Sequence, residues 1–226
     1  MNHVEAQNST VSSILKDLVL VVIGLFCFGF GVYLTIQANI GAAPWDVFMI
    51  GTAKTLGIQY GNVSVAMSLV ILCIDILLRE PIGLAMIFDA ILVGKTVDLF
   101  NAIELFPLQQ NPWIGLCMMV AGLVIDGYAQ WIYMKGALGC GPRDTLLVGL
   151  KRRLTKIPIG IVSIGILAVV TLCGYLLGGP VGIGTLVCAF ATGPIMQLTF
   201  ATVHFSATDT HHQNILESIR VFRGKK

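Results

Sequence analysis

Long apolar runs dominate the sequence, and short polar or glycine-rich breaks separate them. An α-helix needs about 17 to 25 apolar residues to cross a hydrocarbon core that is about 30 Å thick. The runs that meet or approach this length are residues 18–38, 63–78, 82–106, 113–134, 157–177 and 181–205. The pattern therefore predicts an all-α fold, a polytopic membrane helix bundle of about six spans.

Two motifs interrupt this pattern, "IGAAPWDVFMIG" at residues 40–51 and "LGCGPRDTLLVG" at residues 138–149. The proline of each motif suits the first position of a helix, where its missing N–H costs nothing. Asp46 and Asp144 then fall in the first turn, where the helix dipole favours a carboxylate. A helix over residues 44–56 would be ~20 Å long, too short to cross the core. We expect two short motif helices that are re-entrant or interfacial.

The two motifs belong to a longer internal match between the halves of the chain. An offset of 98 residues aligns glycine, proline and aspartate positions, which mark backbone requirements rather than hydrophobicity. The aligned pairs include Gly41 with Gly139, Pro44 with Pro142, and Asp46 with Asp144. The match predicts a duplication, with one repeat at about 18–106 and the other at about 113–205. Three crossings per repeat make the halves inverted (3+3), whereas motif helices that cross make them parallel (4+4).

Composition and charge agree with a membrane protein. Hydrophobic residues make up 56% of the 226 residues and charged residues only 12%, about half of what a soluble domain carries. We divide the chain into a polar tail (1–15), one membrane domain (16–205) and a basic tail (206–226). Basic loops mark the cytoplasmic side, so both termini are predicted to be cytoplasmic. The basic tail is more simply a topology signal than a site for nucleic acid, and no nucleic-acid partner is expected.

Ionisable residues inside the predicted spans are candidates for proton or ion coupling, because they are costly there. Asp89, Lys95 and Asp98 lie in the third apolar run, and Asp126 lies deep in the fourth. Lys95 and Asp98 are three residues apart, so the alternative for them is a self-neutralising pair on one helix face. Asp89 lies about half a turn from Asp98, so one face cannot serve both. Asp75, four residues before Arg79, is interpreted as forming a structural ion pair with it.

The motif helices supply the candidates for substrate binding, Asp46, Asp144, Arg143 and Trp45. Helix starts that face a common site present N–H groups to a substrate in many transporters. Arg143 adds a forked donor, and Trp45 adds an aromatic face. The alternatives are that both aspartates only cap their helices, that Arg143 pairs with Asp144, and that Trp45 sits at the membrane interface.

The chain lacks the short motifs of common enzymes. It contains no Gly-x-Ser-x-Gly, no His-Glu-x-x-His and no Walker-type phosphate loop. Its six cysteines form no Cys-x-x-Cys pair. We therefore expect no enzyme, no cofactor and no metal site.

The motifs themselves resemble a known family. "GAAPWD", "GCGPRD", the "YGNVS" that follows the first motif, and "GGPVGIGT" at residues 178–185 are similar to bacterial YczE/YyaS/YitT-type membrane proteins. The resemblance covers roughly residues 18–200 and is nearest to the YczE-like branch. It implies a multi-pass protein of the bacterial plasma membrane. It carries over no catalytic residue.

Two functional hypotheses follow. The first is a small secondary transporter or permease for a polar metabolite, with an anion as one option. The second is a non-transporting membrane partner that regulates or stabilises another membrane-associated complex. The expected partners are the lipid bilayer and, for the first hypothesis, a small polar ligand. A homo-oligomer is compatible with both.

Overall fold

The computed structural model of the protein describes residues 11–205, and within this range it consists of α-helices with no strand. The helices are α1 (Val11–Gln37), α2 (Pro44–Leu56), α3 (Tyr60–Leu77), α4 (Leu84–Ala102), α5 (Pro112–Lys135), α6 (Pro142–Arg153), α7 (Ile159–Leu176) and α8 (Ile183–Thr202). The predicted all-α helix bundle is confirmed.

Five of these helices are long and apolar enough to cross a membrane, namely α1, α3, α5, α7 and α8. The remaining predicted span corresponds to α4, which has 19 residues. It falls outside the five because it carries the three charged residues Asp89, Lys95 and Asp98. The described chain is thus a multi-pass membrane bundle whose least apolar long helix holds several of the candidate coupling residues.

The two motif helices form where the sequence predicts them. α2 has 13 residues and α6 has 12, each begins at the motif proline, and Asp46 and Asp144 lie in their first turns. The residues before the prolines, Ala43 and Gly141, give no side-chain cap. Within α2 and α6 themselves, the first-turn carboxylate is therefore the only negative charge near the helix start. Whether α2 and α6 are re-entrant or interfacial stays a prediction.

Helices α1 and α5 run antiparallel and form the centre of the bundle. Glycines allow this close approach: a Cβ on Gly24 of α1 would lie 2.7 Å from the backbone nitrogen of Tyr133. Further along, a Cβ on Gly122 of α5 would lie 2.8 Å from Thr35 Cγ2. Helix α4 packs on α1 and helix α8 packs on α5, so the central pair is enclosed from both sides.

Each short helix packs on a long helix from the other half of the chain, α2 on α7 and α6 on α3. Two backbone hydrogen bonds hold the loops before them: Gly184 N–H donates to Ile40 O over 2.8 Å, and Ala85 N–H donates to Leu138 O over 3.0 Å. The start of α8 is thereby joined to the loop before α2, and the start of α4 to the loop before α6.

Glycine is required in both motif loops. Gly41 has φ +111° and Gly139 has φ +121°, values that favour glycine. A Cβ on Gly139 would also lie 2.8 Å from the Cα of Gly83, and a Cβ on Gly41 would lie 2.6 Å from the backbone nitrogen of Gly182. The aligned glycines therefore serve the same backbone contact twice.

Some sequence-based assignments fall differently. Helix α1 begins at Val11, inside the segment assigned to the polar tail, while residues 1–10 and the basic tail 206–226 lie outside the described residues.

The predicted ion pair between Asp75 and Arg79 is wrong. Asp75 is fully buried, and neither carboxylate oxygen has a hydrogen-bond partner among the described residues. The interior of α3 thus holds an acid that helical spacing alone did not explain.

We expect Gly139→Ala to destabilise the protein by about 1–3 kcal/mol, because it adds a Cβ at positive φ and against the backbone of Gly83. The control is Gly165→Ala in α7, where a Cβ would meet nothing within 4 Å. That change should be neutral or stabilising by about 0.5–1 kcal/mol, the helix preference of alanine over glycine. Thermal unfolding of the purified variants in detergent measures the difference, and equal melting temperatures would contradict the assigned packing.

Candidate functional site

A cavity of about 440 Å³ lies in the centre of the bundle. This volume is within the range of about 300–1,000 Å³ that is typical of small-molecule sites. Six of the eight residues selected from the sequence line it: Trp45, Asp46, Asp89, Asp126, Arg143 and Asp144. The first turns of α2 and α6 thus face one shared space, together with acids from α4 and α5.

Arg143 connects the two motif helices across this cavity. It follows the proline of α6, and its Nη2 lies 3.4 Å from Sδ of Met49 on α2. Its Cζ lies 5.2 Å from the centre of the Trp45 ring, a cation–π contact. Among the described residues it forms no ion pair, so the alternative of an Arg143–Asp144 pair is not formed. The guanidinium keeps donors free for a ligand.

The two motif aspartates have different surroundings. Asp46 is only 3% exposed, and its Oδ1 accepts a hydrogen bond of 2.8 Å from the hydroxyl of Tyr60. Asp144 is open to the cavity, and its Oδ2 has a long contact of 3.5 Å with Nε2 of Gln130. Asp46 is therefore fixed in place, whereas Asp144 is available to a solute.

Asp126 and Asp89 complete the acidic lining from the long helices. The carboxylate of Asp126 occupies the space that a Cβ on Gly31 of α1 would fill, and its buried Oδ1 has no hydrogen-bond partner among the described residues. Asp89 lies beside the start of α6, because a Cβ on Gly141 would be 3.1 Å from Asp89 Oδ2 and 3.7 Å from Asp144 Oδ2. Two acids therefore flank Gly141 while a third faces α1.

The charges of the cavity lining are unequal. Among the described residues that line it, four are carboxylic acids and one, Arg143, is a cation. Arg143 acts electrostatically on Asp46, Asp89 and Asp144, although none of them contacts it at ion-pair distance. Buried charges require compensation in an apolar environment. The arrangement can therefore accept protons or a positively charged group.

Lys95 and Asp98 lie outside the cavity, in the contact between α3 and α4. Their charged atoms are 3.7 Å apart, which is the self-neutralising pair considered from the sequence. Asp98 Oδ1 accepts a 2.8 Å hydrogen bond from the backbone N–H of Gly61, and Lys95 Nζ donates to Asn62 Oδ1 over 2.6 Å. The pair holds α3 on α4, and the opposite helix face presents Asp89 to the cavity.

Several uncharged polar residues of the lining were not selected from the sequence. They include Thr35, Ser64, Gln130, Ser163 and Thr192. Two of them could have been selected from the sequence, because Ser64 and Ser163 occupy aligned positions of the two halves. The others are single polar residues in apolar helices, and only packing shows which of them face inward.

A smaller cavity of about 230 Å³ adjoins the first at Asp144, which lines both. An ion pair of 2.9 Å between Arg152 and Glu80 lies in its wall, which also includes Cys140. Asp144 thus borders both cavities. In the described part of the chain, no three histidine, cysteine, aspartate or glutamate residues converge as metal ligands.

Known proteins resemble this chain along most of its length. The profile of a family of unknown function, DUF6198, matches residues 15–200. The uncharacterized membrane protein YczE of Bacillus subtilis is 28% identical over 178 residues, covering 78% of this chain and 81% of that protein. An uncharacterized protein of Haemophilus influenzae is 28% identical over 182 residues, covering 80% of this chain and 82% of the relative.

A third relative, the uncharacterized protein YyaS of Bacillus subtilis, is 28% identical over 189 residues, covering 81% of this chain and 92% of that protein. No solved structure matches the chain significantly. The match to the family profile covers nearly all of the helices that form the cavity. The chain therefore belongs to the DUF6198 family, and the YczE/YyaS-type resemblance that its motifs indicated is confirmed.

Proposed function

We propose that the protein is a permease that exchanges a small, positively charged polar solute for protons. The observation that carries this proposal is the lining of the central cavity, which includes four carboxylic acids and, among the described residues, only one guanidinium. The membrane bundle provides the location, and the cavity provides a site of suitable size.

The charge balance links the solute to the proton. Arg143 compensates for one carboxylate, and carboxylates in an apolar interior need a counter-charge or a proton. When a cationic solute enters, it supplies the counter-charge, and protons leave. When it departs, protons return to the same oxygens. Competition for one set of carboxylates is therefore sufficient to couple the two movements.

The same lining disfavours an anionic solute, the option that the sequence left open. A helix start attracts anions through its free N–H groups and its dipole. In α2 and α6 each start already carries its own carboxylate, Asp46 and Asp144. An anion would meet these charges as well as Asp89 and Asp126, with only Arg143 in its favour.

We further propose that the bundle consists of two copies of one unit in inverted orientation. In its support, the bond from Gly184 to Ile40 and the bond from Ala85 to Leu138 join aligned positions of the two halves. The packing of α2 on α7 likewise corresponds to that of α6 on α3. With α4 counted as a crossing, three crossings separate α2 from α6, so the two helices begin from opposite sides.

The proposed location is the bacterial plasma membrane, with both termini in the cytoplasm as the basic loops suggest. The alternative, a non-transporting membrane partner, gives no reason for several acids to converge in an internal cavity. It predicts instead that neutral substitutions of these acids leave function intact.

Transport is testable with the purified protein in liposomes. We expect concentration jumps of ethanolamine, choline, guanidinium or putrescine to produce solute uptake and a change of internal pH with at least one of them. Asp126→Asn and Asp144→Asn should lower the initial rate at least about tenfold, because a hydrogen bond to a charged group contributes about 1.5–3 kcal/mol and each 1.36 kcal/mol is tenfold in rate. A radiolabelled solute and a pH-sensitive dye inside the liposomes measure both fluxes.

The matched control is Glu104→Gln, which removes an acid from an exposed loop outside the cavity and should transport as the parent protein does. Uptake of phosphate or acetate in place of the cations would refute the assigned charge preference. Equal rates for the two asparagine variants and the parent would refute the site.

Orientation is testable by labelling single cysteines in a cysteine-free chain. Lys54, at the end of α2, and Lys156, after α6, are both exposed. We expect a membrane-impermeant maleimide to label Lys54→Cys and Lys156→Cys from opposite sides of oriented membrane vesicles, because inverted repeats place the two motif helices on opposite faces. Labelling from the same side would show parallel repeats and contradict the inverted arrangement.

A further inference from the structure

Helices α3 and α4 pack in close contact along a seam of small residues. A Cβ on Gly94 would lie 2.7 Å from the Cβ of Ser64, and a Cβ on Gly61 would collide with the carbonyl of Gly94. Such contacts leave no room for even one added methyl group. This seam is closed to lipid and to solutes.

The corresponding seam between α7 and α8 is open. With the offset of 99 residues that applies after the motifs, Gly61 and Gly94 align with Gly160 and Gly193. A Cβ on either Gly160 or Gly193 would meet nothing within 4 Å. Residues suited to close packing therefore face empty space in the second half of the chain.

The central cavity extends into this opening. Ser163 and Leu167 of α7 line it on one side, and Thr192 and Gly193 of α8 line it on the other. Helix α7 is also the least buried of the five apolar spans, since only 11% of its residues are buried inside the bundle. The gap between α7 and α8 is thus a side opening of the cavity that holds the four acids.

The two seams differ in what holds them. Polar bonds fasten α3 to α4, from Gly61 N–H to Asp98 and from Lys95 to Asn62. The positions of α7 and α8 that align with Asn62, Lys95 and Asp98 are Ile161, Pro194 and Gln197. They carry no charge pair, so the described structure contains no equivalent fastening between α7 and α8.

Helix α8 is moreover weakened at the opening. Pro194 lies inside α8, next to Gly193. A proline in a helix interior removes a backbone hydrogen bond and is a common site of bending. The helix can therefore change its angle at the level where α7 faces it.

We propose that α7 and α8 close on each other in the packing that α3 already makes on α4, and that this closure shuts the side opening of the central cavity. As a gate, the seam between α7 and α8 controls access for the proposed permease, so this role rests on the proposed function. The closing movement itself can be measured without a solute. The alternative occupant of the gap is a helix of a second copy, which the same experiment detects.

Closure is testable with the pair Gly160→Cys and Gly193→Cys in one cysteine-free chain. A disulfide requires Cα atoms about 4.4–6.8 Å apart and Cβ atoms about 3.5–4.5 Å apart. In the packing of α3 on α4, a Cβ at either aligned position would touch the carbonyl oxygen of the other position, so closure in the same packing brings the two cysteines together. In the described state a Cβ at Gly160 or Gly193 contacts no atom of the other helix. We expect oxidation with copper phenanthroline in membranes to form an intramolecular disulfide, detected as protection from a maleimide–polyethylene glycol gel shift.

The control pair combines Ile161→Cys with Gly193→Cys. Ile161 is 59% exposed and lies about 100° around the helix from Gly160, so closure leaves it pointing away from α8. The control should form at least about fivefold less disulfide, given that helix positions one residue apart do not share a face. The same pairs in the native-cysteine chain, with each single variant as reference, serve if the cysteine-free chain does not fold.

Each outcome decides the question. A disulfide-linked dimer would show that a second copy fills the gap and would overturn the gate. No disulfide, or equal amounts in both pairs, would overturn it too. An intramolecular disulfide without transport by the parent protein would sustain the gate and refute the permease. If the parent protein transports, the oxidised variant should lose uptake, and dithiothreitol should restore it.

Discussion

Every backbone N–H and C=O inside a bilayer must find a partner within the protein, and this constraint governs a bundle whose helices are repeatedly interrupted. The structure satisfies this constraint through hydrogen bonds between the loops that interrupt the helices. The loop before α2 accepts from the start of α8 through Ile40 and Gly184, and the loop before α6 accepts from the start of α4 through Leu138 and Ala85. These pairings fix where the two short helices begin, and they depend on glycine, because a side chain at the contact would separate the loops.

Once the helix starts are fixed, their side chains determine the chemistry of the interior. The first turns of α2 and α6 both face the central cavity, and Arg143 reaches across it to Trp45 and Met49 of the other motif helix. The guanidinium therefore joins the two halves without being neutralised by an ion pair. The excess of acids around it is costly in an apolar setting, and residues that carry such a cost inside a membrane generally serve function.

Aligned positions in the two halves of the chain have different surroundings. Gly61 and Gly94 close a seam that polar bonds fasten, whereas Gly160 and Gly193 border an opening into the cavity. A bundle with one fastened and one free seam has a fixed side and a side that is able to move. On the open side, α7 packs mainly on α2 and α6, and only 11% of its residues are buried inside the bundle.

The local sequence pattern was sufficient to predict many of the helices of this protein. Apolar runs specified the long helices, and the proline and first-turn aspartate of each motif specified the starts of α2 and α6, because both signals act within one or two turns. The cost of an ionisable group in a span also identified Asp89 and Asp126 as candidates.

Tertiary structure decided which candidates meet. Lys95 and Asp98 carry the same sequence signal as Asp89, yet they face α3, and Asp75 is buried without the partner that its spacing suggested. Most of the uncharged polar lining, apart from the aligned Ser64 and Ser163, follows no pattern in a single sequence, and neither does the unequal packing of the two seams. The sequence by itself determined the membrane class, the helices and the motif starts, because these follow from neighbouring residues. The cavity and its opening were decided only by tertiary structure, because the direction a residue faces depends on helices far away in the chain.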